Sequence, residues 1–188
     1  MTDMTDEKII QVARNWVETL VVGLNLCPFA KRELINNRVR FVVTHARSET
    51  ALVDALDDEL RRLEKDDSIE TTLLIIPDML KDFYDYNDFL AVADGLLIDM
   101  ELEGVFQVAS FHPHYQFADT QFDDVENYTN RSPFPMLHLL REDSLEKAID
   151  SHPDVDGIPE RNVALMQELG RDRILALLEK CWTDQVSK

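Results

Sequence analysis

Thr71-Thr72-Leu73-Leu74-Ile75-Ile76 is an uncharged run halted by Pro77. A continuous apolar stretch of this length, closed by a proline, has the pattern of a strand buried on both faces. Such a strand needs helices against each side of its sheet, and the neighbouring sequence supplies them. Upstream, Val39-Arg40-Phe41-Val42-Val43-Thr44-His45 is β-branched and aromatic and predicts a first strand. Ser48 then caps a helix with Leu52, Leu56, Leu60 and Leu63 on one face, ended by Asp66-Asp67-Ser68. Downstream, Asp82 or Asp85 opens a helix carrying Tyr86, Phe89, Leu90, Ala93, Leu97 and Met100, with Gly104 as its stop. Val105-Phe106-Gln107-Val108-Ala109-Ser110-Phe111 follows as a third strand.

Strand, helix, strand, helix, strand in that order argues two right-handed crossovers and a parallel core. Met136-Leu137-His138-Leu139-Leu140-Arg141 predicts a fourth strand, with His138 on the face of Met136 and Leu140, and Arg141 on the face of Leu137 and Leu139. Ile9, Ala13, Trp16, Val17, Leu20 and Val21 predict an amphipathic first helix stopped at Gly23. A short second helix is expected from Pro28, with Cys27 at its N-cap. Helices over 144–150, 159–169 and 172–182 close the chain, with Gly170 between the last two. The expected fold is α/β: one domain over 1–188, a mixed sheet of about four strands (the parallel β-α-β-α-β core plus the fourth), flanking helices and a C-terminal helical segment.

The 188 residues are 45% hydrophobic, enough for a sizeable core, and 19 Lys and Arg against 37 Asp and Glu leave a formal charge of -18. That charge repels nucleic acid and anionic membranes, so neither is an expected partner. No secretory signal or spanning run is visible, which predicts a cytoplasmic protein. The two cysteines, Cys27 and Cys181, form no C-x-x-C and indicate neither a disulfide framework nor a zinc ribbon.

In open parallel sheets ligands gather beyond the carboxyl ends of the strands, here His45, Asp78 and His112. The segment after His112 is long for a loop in a compact domain and carries Tyr115, Phe117, Phe122, Tyr128 and Phe134 as anchors. It concentrates the candidate site residues. His112 and His114, with Asp119, His138 or Cys27, could ligate a divalent transition metal; the competing reading is a histidine pair bonded to loop carbonyls. Asn130, Arg131 and Arg141 could clamp a carboxylate or phosphate; alternatively Arg131 bridges loop carbonyls or pairs with an acid. Cys27 reads as a reactive thiol or as a small buried hydrophobe, and His138 as a proton-transfer group or a satisfied core histidine.

L-N-L-C-P-F-A (24–30), S-F-H-P-H-Y-Q-F-A-D (110–119) and N-R-S-P-F-P-M-L-H-L-L-R-E (130–142), in this order, resemble the bacterial family known as domain of unknown function 1415. The resemblance covers nearly the whole chain and implies that it is one unit; it carries no catalytic residue over. The residues themselves lead to an expected enzyme acting on a small anionic metabolite at the carboxyl edge. In that scheme Cys27, His112 and His138 are catalytic and Asn130, Arg131 and Arg141 bind substrate. The alternatives are a ligand- or protein-binding module, or a metal protein using His112, His114 and Asp119.

Overall fold

In a computed structural model that describes residues 4–183, strands β1 (Val39–Val43), β2 (Thr71–Ile75), β3 (Phe106–Phe111) and β4 (Met136–Arg141) form one sheet in the order β1-β2-β4-β3. Residues 1–3 and 184–188, part of the expected 1–188 domain, lie outside the described residues. β1 and β2 pair in parallel, whereas β4 is antiparallel to both β2 and β3. The first three strands therefore run the same way, but the third does not sit beside the second. β4 has inserted between them, and Leu137 and Leu139 thereby become central and fully buried.

Helices α1 (Asp6–Trp16), α2 (Ala30–Ile35), α3 (Glu49–Lys65), α4 (Phe83–Asp99), α5 (Glu142–Ser151) and α6 (Ile158–Thr183) cover the sheet. Thr5, Ser48 and Asp82 cap α1, α3 and α4, each side-chain oxygen accepting from a first-turn backbone N–H. Strand alternation divides the core in two. Leu74, Leu137, Leu139 and Phe106 pack against α3 and α4, whereas Phe41, Leu73, Ile75 and Met136 pack against α1 and the end of α6. On the first face Arg40 of β1 makes a forked pair with the buried Glu59 of α3, at 2.7 and 2.9 Å. Arg62 lies 3.6 Å from the same carboxylate, so Glu59 holds two cations on this face.

One local departure from the expected elements bears on the site. The first helix changes register after Trp16 and continues as a π-helix, Val17–Val22, whose Gly23 N–H reaches back to the Glu18 carbonyl at 3.0 Å. The expected pair of C-terminal helices is present within the span α6, divided at Gly170, whose backbone is non-helical with φ at 71°.

Among the described residues, no helix is long and apolar enough to cross a membrane.

A candidate small-molecule cavity

At the carboxyl edge His45 Nδ1 lies 2.8 Å from Asp78 and Nε2 lies 2.8 Å from Asp6 of α1. The hydrogen bond to Asp78, then that to Asp6, raises the imidazole pKa. His112, at the end of β3, is fully buried and spoken for by backbone. Its Nε2 donates to the Leu80 carbonyl at 3.0 Å and its Nδ1 accepts the His114 N–H at 3.0 Å. Burial is the main cause of its lowered pKa. His114 and Asp119 are exposed, and among the described residues no three His, Cys, Asp or Glu side chains converge as a metal site.

The loop after His112 is organised around Arg131. Its guanidinium donates to the carbonyls of Tyr115, at 3.1 Å, and Phe122, at 2.5 Å, and lies between the Phe122 and Tyr128 rings at 4.5 and 4.3 Å. The Trp16 indole N–H donates to the Arg131 carbonyl at 2.9 Å, tying the loop to α1. Asn130 Nδ2 donates to the Ser110 carbonyl at 3.2 Å. Arg141 reaches across the α3–α4 face to the carbonyls of Leu63, Asp66 and Ile69. The guanidiniums and imidazoles placed on one edge by the sequence therefore do not all share a hollow. His112, Asn130 and Arg131 stabilise backbone at the carboxyl edge, and Arg141 does so beneath α3.

Cys27 and His138 do come together, on the opposite face, with Arg141 also contributing to the lining there. Both line a cavity of about 670 Å³ bounded by Trp16, Val21, Phe29, Leu73, Ala109 and Phe111, beneath α2 and α5. Neither α2 nor α5 contains a single fully buried residue. Their inward side chains, Leu145 and Ala148 among them, border open space instead of filling it. The Phe29 and His152 rings meet edge to face at 5.8 Å, linking the approach to α2 with the residue after α5.

The fold explains the location. α2 leads into β1, and α5 leaves the antiparallel β4, so both helices sit where β1 and β2 begin; Val39 and Thr71, their first residues, line the cavity. The carboxyl-edge rule assumes parallel strands on both sides of a switch point, and the inserted β4 removes that condition. Cys27 precedes α2 by three residues instead of capping it. The π-helix delivers it: the Leu26 N–H donates to the Val21 carbonyl at 2.9 Å, while Asn162 of α6 donates to the Leu26 carbonyl at 2.8 Å. Gly23 is needed at the exit of that π-helix because an added Cβ would collide with the Thr19 carbonyl oxygen.

On the floor, His138 Nε2 and Thr71 Oγ1 are 2.6 Å apart, and the same hydroxyl is 2.6 Å from the Leu139 carbonyl. Burial pushes the His138 pKa down to about 4, so the ring is neutral at pH 7. At the rim Arg38 is tied to Glu70 at 2.7 Å and to Glu33 at 3.5 Å. Arg32 stands largely in solvent, 3.6 Å from Glu33, and Lys147 is exposed. Charged residues of the lining are Arg32, Arg38, Arg141 and Lys147 against Glu33 and Glu70, an excess of cations in a chain of formal charge -18.

The family described as protein of unknown function DUF1415 matches residues 8–176. The chain belongs to the DUF1415 family. That match takes in every strand, the cavity and the Arg131 loop of this DUF1415 chain. No curated protein and no solved structure matches it.

Trp16, Thr71, Phe111 and Lys147 are cavity residues that sequence reasoning did not single out. Thr71 carried one usable signal. It begins a strand that would be buried on both faces, where a hydroxyl needs a partner. Nothing local distinguishes Lys147 from the other charges of an exposed helix.

Proposed function

We propose that this protein binds a small amphipathic anion in the cavity beneath α2 and α5. The observation that carries the reading is the lining itself: apolar and aromatic walls of a size suited to one metabolite, with local cationic excess in an otherwise acidic chain. The apolar body of the ligand lies against Trp16, Phe111 and Leu73, and its anionic group sits at the mouth near Arg32 and Lys147. Titration with decanoate, read by quenching of Trp16 fluorescence, tests this. Saturable binding is expected, weakened when Lys147 and Arg32 are both replaced by Ala. It is abolished by Ala148→Trp, which fills the space from α5. Decanoate that fails to bind, or binds equally to the Ala148→Trp variant, refutes it.

Turnover is the second reading, supported by the presence of Cys27 and His138 in one cavity. Among the described residues no proton acceptor stands within hydrogen-bond reach of the Cys27 sulfur, and a neutral His138 with a low pKa is a weak base. Ligand binding therefore stands ahead of catalysis. A Cys27→Ala variant that binds normally but loses a reaction shown by the parent would reverse that order. A cytoplasmic location is part of the proposal, supported by Cys27, a thiol outside any disulfide; cell fractionation checks it.

A further inference from the structure

The hydrogen bonds on the cavity floor fix more than its shape. The Thr71 hydroxyl has one proton and two close partners, the Leu139 carbonyl and His138 Nε2, each at 2.6 Å. A carbonyl can only accept, so the hydroxyl must donate to Leu139. It then has only lone pairs to offer His138, and Nε2 must carry the imidazole proton. Nδ1 is left with a lone pair and, among the described residues, no hydrogen-bond partner. The low pKa of the ring keeps that lone pair free at neutral pH. The unfilled polar position on the cavity floor is therefore an acceptor.

Resting on the binding reading above, we propose that the ligand carries a hydrogen-bond donor, a hydroxyl or an N–H, on the end that reaches His138, and its anionic group on the end at the mouth. The class is a hydroxy- or amino-substituted organic acid with an apolar body. A second carboxylate at the inner end is excluded, because it would bring lone pairs against lone pairs.

An apolar cavity without such an acceptor rejects a buried hydroxyl, so the sign of one comparison decides the matter. Decanoate and 10-hydroxydecanoate share length and charge and differ only in the terminal hydroxyl. The wild-type protein is expected to bind the hydroxy acid about fivefold or more tightly, as one satisfied hydrogen bond allows. In His138→Leu the order reverses and decanoate becomes the better ligand. Nitrogen-15 spectra of histidine-labelled wild-type protein give a readout that needs no variant to fold: the His138 ring is expected as the Nε2–H tautomer from pH 5.5 to 8. Equal binding of the two acids, tighter binding of decanoate by wild type, or an Nδ1–H tautomer overturns the proposal while leaving the cavity reading intact. If neither acid binds, the cavity reading falls and takes this proposal with it.

Discussion

Replacing Arg131 by methionine isolates what its guanidinium does, because the hydrocarbon part of the side chain is retained. Arg131 is 4% exposed, donates to the Tyr115 and Phe122 carbonyls, and is sandwiched between two aromatic rings. Hydrogen bonds from a charged donor contribute about 1.5–3 kcal/mol each, and a cation over an aromatic face about 0.5–2 kcal/mol. These contributions overlap, and Phe122 is 48% exposed, which weakens its share. The expected net loss is about 3–5 kcal/mol, which for a chain of this size corresponds to roughly 6–20 °C in Tm. Thermal unfolding followed by circular dichroism measures it. Arg131→Lys should fall between the two, keeping the charge but unable to span both carbonyls. Decanoate affinity measured well below the transition should be unchanged, because Arg131 does not line the cavity. A methionine variant within about 1 °C of the parent would refute the loop-anchoring role, and one that keeps its Tm but loses the ligand would show that the guanidinium faces a ligand instead.

Gly23→Ala forces a Cβ against the Thr19 carbonyl at the exit of the π-helix, with an expected cost of about 1–3 kcal/mol and a displaced Cys27. Slower labelling of Cys27 by a thiol reagent at equal folded fraction would report that displacement, and unchanged Tm and labelling would refute it. Two histidines give opposite pH dependences. The raised pKa of His45 means that its contribution is full below the ordinary imidazole value of about 6.5 and is lost as pH rises through the folded value. The Tm gap between wild type and His45→Ala should therefore be wider at pH 5.5 than at pH 8.5. His138, held down to about 4, contributes above about pH 6.5 and loses about 1.4 kcal/mol per unit as pH falls toward 4, with His112 acting in the same sense. His138→Gln should flatten that acid slope without removing the share due to His112; an unchanged slope would mean that the ring takes up a proton in the folded protein.

Where local chemistry decides a structure, the sequence was a sufficient guide. Ser48 and Asp82 announce the starts of α3 and α4 because a side-chain oxygen there can satisfy first-turn N–H groups. β4 was legible to its end residues, since alternation of Leu137 and Leu139 with His138 has no helical equivalent. The π-helix was not, because one extra residue per turn leaves Val17, Leu20 and Val21 apolar in either register. The candidate site was legible only in part. Cys27, His138 and Arg141 were named and line one cavity, but the Arg141 guanidinium, like His112, Asn130 and Arg131, spends its polarity on carbonyls.

The sequence by itself determined the α/β class, the four strands, most helix boundaries and the division of β4 into two faces, all consequences of side-chain periodicity and capping within a few residues. The tertiary structure alone decided that β4 would lie between β2 and β3. With that came the placement of α5 beside α2 and the hollow beneath them. Strand order is selected by long-range pairings, such as Leu73 with His138 and Phe111 with Met136, and no local pattern encodes which partner is chosen. Whether a guanidinium or imidazole meets a ligand or a carbonyl depends on that choice, because a buried polar group bonds to whatever the assembled fold brings within about 3 Å.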